Sequence, residues 1–162
     1  MAKCLKAIRF DVSDTHVFPA AAEPGDWVIP GTFAFRAFTE EGLTGKVRQA
    51  FVSGFLSLEN FGWTTLATPD EISDADQARL VARLAQHFVD EHGAPSVEAA
   101  MPVAEAEIAD ACGLAEELQI NALLAIQREI DGDGAIHERF HLVTPPTDDP
   151  HTRIWDVSED DA

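Results

Sequence analysis

The clearest alternation of apolar and polar positions runs from Leu124 to Leu142, on both sides of the turn-rich tetrad Asp131-Gly132-Asp133-Gly134. A period of two is typical of strands with one buried side, and a glycine at positive φ closes a short hairpin loop. Placing Asp131 opposite Ala135 brings unlike charges together and apolar side chains together across the two strands. The sequence therefore predicts a C-terminal β-hairpin in one register. Its predicted pairs are Leu124 with Leu142, Ile126 with Phe140, Arg128 with Glu138 and Glu129 with His137.

The two sides of this hairpin differ in polarity. One side carries Leu124, Ile126, Ile130, Ile136, Phe140 and Leu142. The other carries Gln127, Glu129, His137, Arg139 and His141. An antiparallel sheet commonly buries its apolar side and exposes its polar side. We therefore expect the exposed side to contact a ligand or partner through four residues, Glu129, His137, Arg139 and His141.

The same stretch contains His137-Glu138-Arg139-Phe140-His141, which matches the zinc-hydrolase pattern H-E-x-x-H. That pattern binds zinc on a helix, where residues four apart lie about 6 Å apart on one side. Along a strand the same two residues are about 13 Å apart, which is too far for one metal ion. The strand interpretation therefore predicts no metal and no cofactor.

A short helix from Ala135 to Thr144 is the alternative, because its apolar residues also fit a helical stripe. Such a helix would end against Pro145-Pro146, since proline cannot continue it. Thr147 also stands where a third histidine ligand of one zinc-protease class would be. The strand is favoured, and a metal-assisted hydrolase using residues 137–141 is kept as the alternative function.

Other strands are predicted from short runs rich in β-branched and aromatic residues. The first begins near Cys4 and runs to Asp11. The second runs from Trp27 to Arg36 with a bulge at Pro30-Gly31, and the extended segment His16-Val17-Phe18 precedes it. A further strand covers Phe61 to Leu66 and is expected to end at Pro69.

Three segments instead show apolar residues at helical spacing. The first runs from Leu43 to Leu58. The second is capped by Ser73 and stopped by Gly93 and Pro95. The third is expected to begin at Pro102, because proline suits the first position of a helix. Buried positions predicted in the second helix are Leu80, Val81, Leu84, Phe88 and Val89.

These elements predict an α+β fold, a mostly antiparallel sheet with two or three helices packed on one face and a C-terminal β-hairpin. A length of 162 residues fits one domain. We assign residues 1–146 to a single globular α+β domain and residues 147–162 to an acidic C-terminal tail. Because of its charge and terminal position, the tail is expected to add little stability.

The formal net charge is −18, from 29 acidic and 11 basic residues. A surface this acidic repels phosphate backbones and anionic lipids, so nucleic acid and membranes are not expected as partners. No apolar run is long enough for a membrane span. Cys4 and Cys112 form no disulfide framework, and each is interpreted as a small buried apolar group. With no signal peptide apparent, we expect a cytoplasmic protein.

The stretches Phe61-Gly62-Trp63-Thr64-Thr65-Leu66 and Phe10-Asp11-Val12-Ser13-Asp14-Thr15 resemble a family of short uncharacterised proteobacterial proteins. This resemblance implies no activity, cofactor or catalytic residue. We therefore interpret the protein as a non-enzymatic binding or accessory domain for a small ligand or a protein partner. The metal-assisted hydrolase described above is the enzymatic alternative, and the sequence alone does not decide between the two. A homodimer paired through exposed sheet edges is a further alternative.

Overall fold

The computed structural model describes residues 2–9, 14–36 and 40–143. Its strands are β1 (Ala2–Ile8), β2 (Trp27–Ile29), β3 (Phe55–Ser57), β4 (Trp63–Thr64), β5 (Leu66–Ile72), β6 (Leu123–Ile130) and β7 (Ile136–Val143). Its α-helices are α1 (Asp14–Val17), α2 (Gly45–Ser53), α3 (Asp74–Glu91) and α4 (Val97–Glu116). Two short 3-10 helices cover Thr32–Phe35 and Glu40–Gly42. The predicted C-terminal tail lies outside the described residues.

The seven strands form one sheet in the order β4-β3-β2-β1-β5-β6-β7, and every neighbouring pair is antiparallel. Helix α4 packs against β1, β2 and β5, helix α2 packs against β6, and α3 packs against α4. Apolar residues from both the sheet and the helices make one core. The predicted α+β fold class, including its C-terminal hairpin, is confirmed.

The sheet curls strongly on itself. Strands β3 and β7 are five positions apart in the sheet, which corresponds to roughly 24 Å if the sheet were flat. Yet the rings of Phe55 in β3 and Phe140 in β7 stack with centroids 6.5 Å apart. Thr32, just after β2, also hydrogen-bonds Glu138 of β7. The last strand therefore approaches the β2–β3 end of the sheet, and the candidate site described below lies where they meet.

The predicted hairpin is confirmed in its register. The four pairs named above are all partners across β6 and β7. The Asp131 amide donates to the Ala135 carbonyl at 3.0 Å, and Gly134 has φ 85°, as the short loop requires. Residues 136–143 form a strand, so the helical alternative for this segment is wrong.

One predicted strand near the N-terminus has the wrong end, and another runs beyond the described residues. Strand β1 ends at Ile8, and the expected continuation through Phe10 and Asp11 lies outside the described residues. Strand β2 ends at Ile29, because the following Pro30 has no amide to donate and Gly31 has φ 74°. The chain then forms the 3-10 helix Thr32–Phe35 instead of a bulged strand. Residues 16–17, expected to be extended, belong to α1.

The first long helix is shorter than its apolar spacing predicted. Helix α2 ends at Ser53, and Gly54 has extended backbone angles. A Cβ on Gly54 would lie 2.8 Å from the Ala50 carbonyl oxygen and 2.9 Å from the Trp63 ring, so the close approach of these groups requires glycine. Phe55 then begins β3, where it is fully buried. The apolar stripe continues past the helix because both elements bury their side chains in one core.

Two predictions based on proline are wrong: a strand was expected to end at Pro69, and a helix was expected to begin at Pro102. Pro69 lies inside β5, opposite Leu5, and the ladder to β6 involves only residues 66–67 of β5. The proline is tolerated because no described strand pairs with its other side. Helix α4 begins at Val97, since Ser96 Oγ accepts from the Ala99 amide at 3.1 Å, and Pro102 lies within the helix.

The central helix follows its prediction most closely. Ser73 Oγ accepts from the Asp76 amide at 3.1 Å, and Gly93 has φ 77° just past the helix end. The predicted positions Leu80, Val81, Leu84 and Phe88 are buried, and Val89 is half-buried. The helical phase of α3 is therefore confirmed.

Candidate functional site

The four predicted ligand-binding residues share one side of the hairpin. Glu129, His137, Arg139 and His141 are all exposed there. Glu129 and His137 are backbone partners, but the His137 ring pairs with Asp131 at 2.6 Å, while Arg139 lies 3.9 Å from the Glu129 carboxylate. The hydrogen bond from His137 lowers the pKa of Asp131. A shallow depression of about 420 Å³ includes three of the four residues and leaves out His141.

The H-E-x-x-H match does not have the geometry of a zinc site. His137 and His141 lie four residues apart along a strand, about 13 Å by the rise of extended backbone. Glu138, the base in the zinc pattern, points to the other side of the strand, because neighbouring side chains alternate. Among residues 2–9, 14–36 and 40–143, no three His, Cys, Asp or Glu side chains are grouped to hold a metal ion.

We expect tag-free purified protein to contain no stoichiometric zinc, because the nitrogens of two histidines on one zinc must lie within about 4 Å of each other. Elemental analysis of the wild type, His137→Ala and His141→Ala should give the same background metal content. One zinc per chain in the wild type, lost in both variants, would contradict the strand geometry.

A larger cleft of about 590 Å³ opens on the other side of the hairpin. Three separate parts of the chain line it: the segment around the 3-10 helix after β2, helix α4, and the hairpin. Its apolar lining residues are Pro30, Phe33, Leu114, Ile136 and Phe140. Its polar lining residues are Thr32, Arg36, Glu107, Asp110 and Glu138. The cleft thus combines an apolar lining with three carboxylates and one guanidinium.

A buried arginine supports one wall of this cleft. Arg128 in β6 is only 2% exposed, although its side chain is charged. It occupies a position in the apolar phase of its strand. Its guanidinium donates to the Phe51 carbonyl at 2.7 Å, the Ala50 carbonyl at 3.2 Å and the Pro30 carbonyl. These bonds connect β6 to the end of α2 and the end of β2. Arg128 therefore holds together the parts of the chain that the curled sheet brings close.

Arg128 is linked to the cleft through Thr32. Arg128 Nε donates to Thr32 Oγ1 at 2.8 Å, and the Thr32 hydroxyl donates to Glu138 Oε1. The predicted meeting of Arg128 with Glu138 is therefore indirect, through a hydroxyl group. Burial lowers the pKa of Arg128 to about 10 and Glu138 opposes this shift, so the guanidinium stays charged at neutral pH. This chain of bonds fixes the Glu138 carboxylate at the cleft wall.

Glu107 on α4 lines the cleft with a carboxylate that is available to pair with a ligand. It is half-buried, and burial raises its pKa, with Arg36 opposing the shift and Asp110 and Glu138 adding to it. Within the described part of the chain, its carboxylate has no hydrogen-bond or ion-pair partner. A half-buried charge without a partner is costly, so a cation entering the cleft would gain a strong interaction there.

The sequence contained only partial signals of this cleft. Glu107, Asp110 and Leu114 follow helical spacing and so share one side of α4. Arg128 was recognisable as a charge in the apolar phase of a strand, flanked by Ile126 and Ile130. No spacing in the sequence relates α4 or β6 to the residues after β2. Only the curl of the sheet brings these parts of the chain together.

Within the described part of the chain, no helix is long and apolar enough to cross a membrane. The fold and the cleft define an α+β protein with a curled antiparallel sheet and an open cleft edged by carboxylates. The chain belongs to DUF6505, a family of unknown function, whose sequence model matches residues 1–156. The predicted resemblance to a family of proteins without an assigned function is confirmed. No curated protein and no solved structure matches the chain.

Proposed function

We propose that the protein is a non-enzymatic binding domain and that the cleft is its site. The ligand is a cation with an apolar body, and the half-buried carboxylate of Glu107, which has no partner among the described residues, carries this proposal. The cleft volume of about 590 Å³ lies in the range of small-molecule sites. Its apolar lining would contact the body of the ligand while Glu107 pairs with the charged group.

The net charge of the whole chain supports a positively charged ligand. A formal charge of −18 attracts cations toward the protein and repels anions, which raises the association rate of a basic ligand. Glu138, fixed by Thr32, and Asp110 extend the negative field along the cleft. Arg36 supplies the only lining guanidinium among the described residues, so the cleft has a net negative charge.

Three indole compounds of similar shape test the charge preference: tryptamine is a cation, tryptophol is neutral, and indole-3-propionate is an anion. In an NMR titration at low salt, tryptamine is expected to bind most tightly, with shifts at residues lining the cleft. Glu107→Gln should weaken tryptamine binding about tenfold, because a desolvated charge-assisted interaction is lost. Equal binding of the anion would contradict the proposal.

Glu105→Gln is the matched control, since Glu105 lies on the same helix, is exposed and does not line the cleft. It removes the same charge and should change tryptamine affinity little. If both variants weakened binding equally, the effect would be one of overall charge and not of the cleft.

The pH dependence of stability gives a check that needs no ligand. The pKa of Glu107 is raised in the folded state, so the folded protein binds the proton more tightly than the unfolded chain. Its contribution to stability is therefore present below the unfolded pKa and is lost as pH rises through the folded pKa. In Glu107→Gln this pH-dependent loss of folding stability should be absent, and the variant should remain folded at neutral pH.

The exposed side of the hairpin is a second candidate site, supported by the shallow depression that includes Glu129, His137 and Arg139. Shifts confined to these residues and His141 in the same titration would favour it over the cleft.

We also propose a cytoplasmic location, which the two free cysteines support, because thiols persist in reducing compartments.

A further inference from the structure

The only two cysteines of the chain, 108 positions apart in sequence, meet in the folded protein. Cys4 lies in β1 and Cys112 in α4, and their Sγ atoms are hydrogen-bonded at 2.8 Å. Both are buried and free. The expectation that each is a buried apolar group omitted this contact, since no spacing in the sequence relates the two positions.

The distance between the two sulfurs leaves little movement for a bond to form. A disulfide has an S–S length of about 2.05 Å, so the sulfurs need to approach by only about 0.8 Å. Helix α4 packs directly on β1, which holds both residues on rigid elements. The fold therefore holds the Cys4 and Cys112 sulfurs next to each other. In an unfolded chain they would meet only by closing a very long loop.

The surroundings make the two sulfurs chemically different. Cys112 is 8% exposed and Cys4 is 1% exposed. Gln77 of α3 donates its side-chain amide to Cys112 Sγ at 3.3 Å. The hydrogen bond with Cys4, assisted by Gln77, lowers the pKa of Cys112, whereas the hydrogen bond with Cys112 and burial raise the pKa of Cys4. Cys112 is thus the sulfur with more thiolate character and more access to a small oxidant.

We propose that Cys4 and Cys112 are an oxidation site for hydroperoxides and form a reversible intramolecular disulfide between β1 and α4. The Cys112 thiol loses its proton, the thiolate attacks one oxygen of hydrogen peroxide, and the O–O bond breaks. The departing hydroxide takes up that proton and leaves as water. Cys112 is then a sulfenic acid.

Cys4 completes the reaction. Its sulfur attacks the Cys112 sulfur, the S–O bond breaks, and the hydroxyl group leaves as a second water with the Cys4 proton. In total the two thiols lose two electrons and two protons, and the peroxide is reduced to two waters. A thiol reductant reverses the step by exchange through a mixed disulfide.

The test uses the full chain, reduced, freed of reductant and treated with hydrogen peroxide under native conditions. Alkylation followed by intact mass measurement should show loss of two hydrogens and no alkylated cysteine, and peptide mapping should join Cys4 to Cys112. Dithiothreitol should restore two alkylatable thiols. The closed loop is long, so oxidation should raise Tm by roughly 5–15 °C.

Two comparisons make the result decisive. In urea the disulfide should form at least about tenfold more slowly, because the preformed contact is lost. In Cys4→Ala, Cys112 should stop at a sulfenic acid that dimedone labels, whereas in Cys112→Ala the remaining Cys4 should react much more slowly. Two alkylatable thiols after peroxide treatment of the native wild type, a bond between chains, or equal rates with and without urea would overturn the proposal.

Discussion

Arg128→Ala is expected to lower the free energy of unfolding by about 3–5 kcal/mol. The substitution removes the donors that the Pro30 and Phe51 carbonyls and the Thr32 hydroxyl use in the protein interior. A buried acceptor left without a donor loses its hydration without compensation, and the cavity left by the side chain adds to the cost. Chemical denaturation at neutral pH measures the effect.

Arg139→Ala is the matched control, because it is the same substitution in the facing strand of the hairpin. The Arg139 side chain is 64% exposed and lies 3.9 Å from Glu129, so its removal should change stability by no more than about 0.5 kcal/mol. Arg128→Met separates packing from hydrogen bonding, since methionine fills space but cannot donate. Similar unfolding midpoints for Arg128→Ala and Arg139→Ala would show that the buried guanidinium does not hold the curled sheet together.

Leu84→Ala should cost about 2–5 kcal/mol, the usual range for a buried leucine truncated in a packed core. Leu84 is fully buried in α3, within the same core as Phe51 and Phe88. Neighbouring side chains are held by two packed helices and cannot collapse fully into the space, so a cavity remains. Denaturant unfolding with unchanged m-value is the appropriate measurement.

Gln86→Ala serves as the comparison on the same helix. Gln86 is exposed and bonds only Asp90 within the described residues, so the expected change is within about 0.5 kcal/mol. Arg83 is a poorer control although the helical phase places it outside, because its guanidinium donates to the carbonyls of Leu58 and Glu59. Equal losses for Leu84→Ala and Gln86→Ala would contradict the orientation of α3.

The two large effects concern different parts of the structure and should be nearly additive. Leu84 belongs to the helical layer, whereas Arg128 connects β6 to the β2 end of the sheet. Arg128 also positions Thr32 and through it Glu138 at the cleft. A conservative Arg128→Lys variant that folds should therefore weaken tryptamine binding as well, since one ammonium group cannot replace all of these bonds.

Local sequence determined the elements whose pattern and end signals agree. The hairpin had alternating polarity on both sides of a loop with Gly134 in the required conformation, and a shift of one residue would have moved its apolar side chains to the opposite side of the sheet. Helix α3 had a continuous stripe, the Ser73 cap and Gly93 beyond its end. In both cases the information lies within about twenty residues, so no distant contact was needed.

Tertiary structure decided the positions where local signals conflicted or were absent. The apolar stripe after Gly45 continues through Phe55, but the close packing at Gly54 against Trp63 ends the helix and starts a strand. Pro69 can lie within β5 because, at this position, the side of β5 away from β1 pairs with no described strand and needs no amide donor. This depends on the arrangement of the sheet and not on the proline alone.

The candidate site and the cysteine pair depend still more on the assembled fold. Arg128 has the phase of a core residue, yet only the curl of the sheet supplies the carbonyls that make burying its charge tolerable. Glu107 enters a cleft only because α4 lies opposite the hairpin, and Cys4 meets Cys112 only because α4 packs on β1. Sequence by itself determined the polarity and local form of each segment. Contacts between segments far apart in the chain fixed which charges are buried, which carboxylate has no partner among the described residues, and which sulfurs touch.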